Sequence, residues 1–182
     1  GRTIVSGVDL TVPRGSMLAV VGRNGSGKST LIRALVGLRR PVAGSVHVDG
    51  ADLTTLPARQ RATRVAHVGQ EDAPPEDLLV GEMVAMGRIP HRPPWAVDAK
   101  GERRLVLDAL DAVGLADKVD HPCQHLSGGE RRRAEIARAL AAEPKFMLLD
   151  EPFGALDALT RHTLQLQLLK LSEQERRTFV LV

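Results

Sequence analysis

The residues with the clearest chemistry occupy positions 22–30, which read Gly-Arg-Asn-Gly-Ser-Gly-Lys-Ser-Thr. This run has the Gly-x-x-x-x-Gly-Lys-Ser spacing of a phosphate-binding loop, whose backbone N–H groups surround phosphate oxygens. The apolar residues 17–21 before it predict a buried strand, and residues 31–38 after it predict the start of a helix. A strand before and a helix after are the setting that this motif requires, so the run predicts a nucleoside triphosphate site rather than an ordinary glycine-rich turn.

Each residue type in this loop suits phosphate binding for a physical reason. Glycines let the backbone approach a phosphate without a Cβ in the way, and the following helix adds free N–H groups and the positive end of its dipole. Lys28 is expected to reach the β- and γ-phosphates, and the Ser29 hydroxyl to bind Mg²⁺. The residues predicted to hold the nucleotide are Gly22, Asn24, Gly25, Ser26, Gly27, Lys28, Ser29 and Thr30.

A second group of chemically suited residues follows the apolar run 146–149, which predicts another buried strand ending in Asp150 and Glu151. An aspartate at a strand end can hold Mg²⁺, and the adjacent glutamate can accept a proton from an attacking water. Because consecutive strand residues point to opposite sides, the two carboxylates can take different roles. The alternative interpretation is a solvent-exposed acidic turn.

A third motif, Leu-Ser-Gly-Gly-Glu at positions 126–130, opens a predicted helix. Ser127 and Glu130 have the spacing of a capping box, which accounts for the start of the helix. It does not account for Gly128 and Gly129, which are poor helix formers. A glycine pair at the positive end of a helix suits close approach to a phosphate, so this motif predicts a second phosphate contact.

The elements around these motifs alternate between strands and helices, which predicts an α/β fold with a parallel sheet. Between positions 78 and 140 the periodicity is mostly helical and indicates an inserted subdomain. The predicted strands are 3–12, 17–21, 45–48, 65–68, 146–149 and 178–182, with turns at 13–15 and 49–50. The predicted helices are 57–64 with Pro57 at its first position, 83–88, 98–113 stopped by Gly114, 128–142 and 157–171, with loops at 72–75 and 89–95.

The composition is that of a globular protein and narrows the possible partners. A net charge of +3 is too small to indicate nucleic-acid binding, and an aromatic content of 2% argues against base-stacking surfaces. The basic run 131–133 is interpreted as a solvated helix face. The single cysteine, Cys123, allows no internal disulfide and fits a reducing compartment. No apolar run approaches the roughly 20 residues of a membrane span, so we expect membrane contact only through a partner.

The phosphate loop, the Ser-Gly-Gly signature and the Asp-Glu strand end, in that order, resemble the ATP-binding cassette of ABC transporters over almost the whole chain. The signature separates this family from other P-loop NTPases; it usually ends in glutamine, and here it ends in Glu130. The resemblance implies an α/β P-loop NTPase core with a mostly parallel sheet, an antiparallel β subdomain and an inserted α-helical subdomain. It implies one truncated ATPase domain over 1–182, with the core and β subdomain in 1–71 and 141–182 and the helical subdomain in 72–140.

The resemblance also implies roles for particular residues. In the family, two cassettes dimerise head to tail and hold two ATP molecules between them, so Ser127, Gly128 and Gly129 would contact the nucleotide of the partner subunit. Gln70 matches the family's Q-loop glutamine, which contacts Mg²⁺ and the attacking water, and 154–157 matches the D-loop at the dimer interface. The implied catalytic residues are Glu151 as general base, Gln70 and Lys28, and the implied metal ligands are Ser29, Gln70 and Asp150.

The implied partners are a second ATPase subunit, a transmembrane permease and, indirectly, a substrate-binding protein, with no nucleic acid. The implied place is the cytoplasmic face of the cell membrane, and the implied cofactors are ATP and Mg²⁺. Two family features have no match here: an aromatic residue that stacks on adenine, and a histidine after the strand 178–182. We therefore expect a piece cut at both ends, with the phosphate-loop strand left at a sheet edge, that binds ATP weakly and hydrolyses it poorly.

The transported cargo is the open question. Residues 84–91 resemble the helical region of importers for iron–siderophore, haem and cobalamin, whereas 151–161 resemble importers of nitrate, taurine and other sulfonates. Because the helical region faces the permease, we favour the metal-chelate class. The alternatives to an importer are a soluble ABC ATPase of DNA repair or translation, and a nucleotide-regulated binding module without turnover. Intact Lys28, Asp150 and Glu151 argue against the last.

Overall fold

The computed structural model describes residues 3–69, 77–92, 99–154 and 156–182. Four parallel strands form the main sheet in the order β1-β6-β5-β4, and a two-stranded antiparallel hairpin, β2-β3, lies apart from it. The strands are β1 Met17–Ala19, β2 His47–Val48, β3 Ala51–Asp52, β4 Val65–Val68, β5 Phe146–Leu149 and β6 Thr178–Leu181. The predicted parallel α/β arrangement is confirmed, and β1 lies at one edge of the described sheet.

Six α-helices are seen in the described part of the chain. They are α1 Lys28–Leu35, α2 Ala58–Ala62, α3 Val80–Ala85, α4 Ala99–Asp111, α5 Gly128–Ala141 and α6 Ala158–Glu175, with 3₁₀ turns at Met86–Arg88, Ala116–Lys118 and Cys123–His125. Helices α3, α4 and α5 pack against one another, and α5 also packs against β4. No helix in these ranges is long and apolar enough to cross a membrane.

The main sheet is covered on both faces, because alternate residues of each strand enter two different apolar clusters. On β5, Met147 and Leu149 join the larger cluster with α3 to α6, whereas Leu148 joins the smaller cluster with Ile32 of α1. All three strand residues are fully buried. Strands buried on both faces have near-continuous apolar runs, interrupted in β4 only by His67, which is why the sequence predicted β4 and β5 at their observed bounds.

Three predicted elements differ from the structure. The strand predicted at 3–12 is absent from the described chain, because Gly7 takes φ 64 and interrupts the extended backbone. Pro57 lies one residue before α2, with ψ 145, rather than at its first position. The helix predicted at 83–88 begins earlier and tightens into a 3₁₀ turn at Met86.

Other predicted elements agree closely with the structure, and some lie partly outside the described residues. Asp49 and Gly50 both have positive φ, as a type I′ hairpin turn between β2 and β3 requires. Gly114, at φ 67, follows the end of α4 as expected. The predicted loop 72–75, the first residue of the helix predicted at 98–113, and positions 93–95 of the predicted loop 89–95 lie outside the described residues.

Candidate active site

The candidate site lies along one edge of the main sheet, where four parallel strands end side by side. Ala19 of β1 is in register with Leu181 of β6, which is in register with Leu149 of β5, which is paired with Val68 of β4. The phosphate loop follows β1, and the acidic pair follows β5. In open α/β sheets, ligands bind at the carboxyl ends of the strands, so this edge is the expected place for a nucleotide.

The phosphate loop has the backbone that only glycine adopts easily. Gly25 has φ 79, and Gly27, the last residue before α1, has φ 95. A Cβ on Gly27 would lie 2.7 Å from Cγ2 of Val5, so the segment around Val5 packs directly against the loop. This position therefore excludes other residues both by its backbone angle and by its neighbour.

The helix that follows the loop, α1, begins without a side chain that would offset the positive end of its dipole. Within the described residues, α1 has no acidic side chain in its first turn and no side-chain cap, and its buried Ile32 anchors it against the sheet. The Lys28 ammonium remains at the loop, because Nζ donates to the carbonyl oxygens of Gly22 at 2.6 Å and Arg23 at 3.1 Å. Ser29 is exposed beside it. Free N–H groups, a helix dipole and a lysine together favour binding of a polyanion.

The acidic pair is held by the strands on either side of β5. The Asp150 N–H donates to the Val68 carbonyl at 2.9 Å, and the Glu151 N–H donates to the Val182 carbonyl at 3.0 Å. Asp150 is half-buried and Glu151 is exposed, with φ 46 at Glu151. The two neighbouring carboxylates therefore have different surroundings, which is what separate roles in metal binding and proton transfer require.

The signature begins α5 with a complete capping box. The Ser127 hydroxyl accepts from the Glu130 N–H at 3.2 Å, and a Glu130 carboxylate oxygen accepts from the Ser127 N–H and from its hydroxyl, both at 2.9 Å. These bonds, from the Ser127 backbone first and its side chain second, lower the pKa of Glu130. The Lys118 ammonium lies 3.5 Å from the same carboxylate. The predicted capping box is thus present, and a Cβ on Gly128 would meet no atom within 4 Å.

Two implied site features, Gln70 and the D-loop segment 154–157, lie wholly or partly outside the described residues. Gln70 lies outside the described residues, as does position 155 of the D-loop segment. Asp157, at the end of that segment, caps α6 by accepting from the N–H groups of Leu159 and Thr160, both at 3.0 Å. Hydrogen bonds from Thr160 are the main cause of the lowered pKa of the Asp157 carboxyl.

The interpretation of positions 131–133 as a solvated face is wrong for Arg132. Its side chain is 9% exposed, and its guanidinium donates to the Gly69 carbonyl at 2.5 Å and to the Asp150 carbonyl. Arg133 donates to the carbonyls of Val113 and Gly114 at 3.0 and 3.1 Å. Neither charge nor helical position separated these residues in the sequence, because each arginine has buried α5 residues three and four positions further along.

Comparisons with known proteins agree with this geometry. Residues 5–154 match the sequence model of the ABC transporter family. A sulfate/thiosulfate import ATP-binding protein of Mycobacterium tuberculosis (strain ATCC 25618 / H37Rv) is 42% identical over 176 residues, which are 96% of this chain and 48% of that protein. A protein of Bacillus subtilis (strain 168), named "Probable siderophore transport system ATP-binding protein", is 38% identical over 179 residues, 98% of this chain and 65% of that protein.

Among solved structures, a dimeric post-hydrolysis state of an ATP-binding cassette bound to ADP and Pi matches with a TM-score of 0.87 at 30% identity. The match covers 98% of this chain and 79% of that one. The fold is that of an ABC-type ATPase domain, a class whose nucleotide is ATP. The chain belongs to the ABC transporter family, and it spans about half the length of the sulfate/thiosulfate relatives that it matches.

Proposed function

We propose that the protein is the ATP-binding and ATP-hydrolysing subunit of a prokaryotic ABC importer. The observation that carries the proposal is the single sheet edge at which the phosphate loop, Asp150 and Glu151 follow strands in matched register. That arrangement joins a polyanion site to two carboxylates with different surroundings. The family membership and the import proteins among the relatives support the same function.

In this proposal the phosphate loop and the first turn of α1 hold the triphosphate. The free N–H groups at the start of α1 bind phosphate oxygens, and Lys28 exchanges its two loop carbonyls for the β- and γ-phosphates. Both carbonyl contacts are at exposed positions, so the ammonium can be redirected without breaking a buried interaction. The contacts of Asn24 and Ser26 with the nucleotide belong to the same proposal.

The donor set suits Mg²⁺, which prefers oxygen ligands and binds through one or two carboxylates together with substrate phosphates. The exposed Ser29 hydroxyl and the half-buried Asp150 carboxylate are such ligands, and Gln70 is proposed as a third. When bound, Mg²⁺ would neutralise charge on the β- and γ-phosphates. Asp150 is suited to this position because its backbone is anchored to β4, which limits where its carboxylate can point.

Glu151 is proposed as the general base. Its backbone is fixed to Val182 of the neighbouring strand while its side chain remains exposed, so it can take a proton from a water in line with the γ-phosphate. Gln70 is proposed to orient the same water. Chemistry is thereby assigned to the ends of β4 and β5, and binding to the end of β1.

The signature is proposed to act on a second copy of the chain. The exposed N-terminus of α5 carries Ser127, Gly128 and Gly129. The same chain already has a second helix N-terminus suited to phosphate binding, that of α1. A head-to-tail dimer would use both ends on each nucleotide. The solved cassette described as a dimer with ADP and Pi supports the formation of a dimer.

The proposed importer function also implies further partners and a cellular location. We propose a transmembrane permease as the direct partner, a substrate-binding protein as an indirect one, and the cytoplasmic face of the membrane as the site of action. We also propose the division into a core with β subdomain, 1–71 and 141–182, and a helical subdomain, 72–140. The mutual packing of α3, α4 and α5 supports that division, although α5 also contacts β4.

The preference for a metal-chelate cargo drawn from positions 84–91 is not confirmed. The sulfate/thiosulfate relative is 42% identical and the siderophore relative 38% identical, over nearly the same length of this chain. We therefore propose an inorganic oxyanion, of the sulfate type, as the cargo of the whole transporter. A metal chelate is the second candidate, and the siderophore relative is the observation that favours it.

The experiment uses Glu151→Gln in the full-length protein. We expect ATP binding to be retained, turnover to fall by about a hundredfold or more, and a dimer to accumulate in Mg·ATP, because the base is lost while the phosphate contacts remain. Hydrolysis rates and light scattering after size exclusion measure these effects. Adding Ser127→Arg to Glu151→Gln should preserve nucleotide binding and prevent the dimer. Unchanged hydrolysis in Glu151→Gln would remove Glu151 from its role, and a dimer in the double variant would contradict the shared site.

A further inference from the structure

The guanidinium of Arg132 joins three elements that carry site residues. It projects from the second turn of α5, and its Nη1 donates to the Gly69 carbonyl at 2.5 Å and to the Glu135 carboxylate at 2.9 Å, while Nη2 donates to the Asp150 carbonyl. Gly69 directly follows β4, and Asp150 directly follows β5. One buried side chain therefore bonds to the ends of two adjacent strands at the candidate active site.

These bonds have a geometric consequence. Guanidinium is planar, and its two terminal nitrogens are held at a fixed separation, so bonding one to each carbonyl sets the distance between the two strand ends. The register of β4 and β5 extends only to Val68 and Leu149. Beyond that point, one backbone bond joins the Asp150 N–H to the Val68 carbonyl, and Arg132 adds a side-chain link between the Gly69 and Asp150 carbonyls.

The positive charge of Arg132 is balanced by the neighbouring carboxylate of Glu135. Its side chain is 9% exposed and that of Glu135 is 8% exposed, and the two are three residues apart on α5. A buried cation is costly without a partner, whereas a paired and hydrogen-bonded one is tolerated. Glu135 thus allows a full guanidinium, which makes stronger hydrogen bonds to carbonyls than a neutral donor does, to remain beneath the site.

We propose that Arg132 is a positioning residue for ATP hydrolysis, which holds the Gly69 and Asp150 carbonyls at a fixed separation and ties both strand ends to the signature helix. This inference rests on the proposed function, since it assigns a task within that reaction. Ser127 lies five residues before Arg132, or about 7.5 Å along the helix axis at 1.5 Å per residue. The strand ends of one chain and the helix end that it offers to a second chain are therefore linked by one side chain.

The test compares Arg132→Lys with Arg133→Lys in the full-length protein. Lysine keeps the positive charge but replaces the rigid two-nitrogen fork by one flexible ammonium, so it does not hold the two carbonyls at the separation that the fork sets. Arg133 is the matched control, because it also donates to two backbone carbonyls from α5, yet those belong to Val113 and Gly114, away from the strand ends. The measurements are the dissociation constant for Mg·ATP, the thermal midpoint, KM, and kcat per nucleotide-binding site.

In Arg132→Lys we expect kcat per binding site to fall by roughly ten- to a hundredfold while KM and the dissociation constant change by less than about threefold. A displacement near 1 Å of a catalytic group has an effect of this order. Arg133→Lys should keep kcat per binding site within about twofold of the wild type, whatever its thermal midpoint. A merely structural role would lower the number of binding sites and leave kcat per site unchanged.

Two further variants separate geometry from folding. Arg132→Met with Glu135→Leu removes both buried charges together, so it avoids an unpaired carboxylate and should still lose kcat. Glu135→Gln keeps the fork of Arg132 and should retain most of kcat. If Arg132→Lys keeps the wild-type kcat per site, or if Arg133→Lys loses as much, the inference is wrong. A wild type that does not hydrolyse Mg·ATP would instead contradict the proposed function.

Discussion

At the level of single residues, Glu130 sets the charge at the start of the signature helix. Its carboxylate accepts from the backbone and hydroxyl of Ser127 and lies 3.5 Å from the Lys118 ammonium. A carboxylate in the first turn of a helix also interacts favourably with the helix dipole. The usual glutamine of the family can close the same capping box but carries no charge. Lys118 offsets the negative charge that Glu130 brings near a proposed phosphate position.

The first prediction concerns acid stability. Because the Ser127 bonds lower the pKa of Glu130 in the folded state, its contribution to stability is complete above the ordinary pKa of the unfolded carboxyl and is lost as pH falls through the lower folded pKa. Glu130→Gln should therefore lose about 0.3–1 kcal/mol at neutral pH and show a smaller decrease in thermal midpoint between pH 7 and pH 3.

Thermal melting across this pH range measures the difference. Glu173→Gln, at an exposed position on α6, is the control and should leave the acid profile as in the wild type. An acid profile of Glu130→Gln that coincides with that of the wild type would show that the Ser127 bonds do not favour the ionised carboxylate.

At the level of elements, a close backbone contact between the 3₁₀ turn Met86–Arg88 and α5 depends on Gly87. A Cβ there would lie 2.1 Å from the Arg138 carbonyl oxygen of α5, so the 3₁₀ turn Met86–Arg88 contacts α5 backbone to backbone. The same turn is fixed to the end of α5 by Arg88, whose Nη1 donates to the Ala141 carbonyl at 2.8 Å and to Glu143 at 2.7 Å. The missing Cβ of Gly87 permits this contact, and the hydrogen bonds of Arg88 stabilise it.

The second prediction follows from this contact. Gly87→Ala should destabilise the protein by about 1–3 kcal/mol, because the new methyl group meets backbone that cannot move alone. At this chain length the thermal midpoint should fall by about 2–4 °C for each kcal/mol. Gly128→Ala is the control, since a Cβ there meets nothing within 4 Å, and it should leave the midpoint unchanged or raise it slightly. Equal midpoints for the two variants would contradict the close packing of the turn on α5.

The accuracy of the sequence predictions varies from element to element. β4 and β5 were predicted at their bounds because strands buried on both faces are near-continuous apolar runs, which His67 alone interrupts in β4. The strand at 3–12 was wrong because one glycine with positive φ outweighs a loose alternation of apolar residues. The Asp-Gly turn was correct because its backbone angles depend only on the two residues themselves.

At the level of the whole molecule, cargo is a property of the assembled transporter. In the proposed function, the sheet edge binds nucleotide and the helix end of α5 binds a second copy, so neither contacts cargo. The region proposed to face a permease is where a resemblance to metal-chelate importers was seen in the sequence, while the sulfate/thiosulfate relative has the higher identity. Cargo must therefore be measured on the complete system.

The third prediction is an uptake experiment in cells that carry the full-length protein with its permease. Labelled sulfate should be taken up in a manner that requires an intact Glu151, and a labelled ferric siderophore should not. Glu151→Gln, with the remaining components unchanged, is the control for background uptake. Siderophore uptake that depends on Glu151, without sulfate uptake, would establish the metal-chelate candidate instead.

The sequence by itself determined the phosphate loop, the acidic pair and the signature, because each is a short contiguous motif whose chemistry depends on neighbouring residues and local backbone. Family membership followed from their order along the chain. Only the tertiary structure decided what surrounds them: that β1, β6, β5 and β4 end in register, and that Arg132 is buried across two of those ends while Arg133 is not. Such contacts join residues 63 positions apart, and no local pattern encodes which arginine will meet a distant carbonyl once the helices have packed.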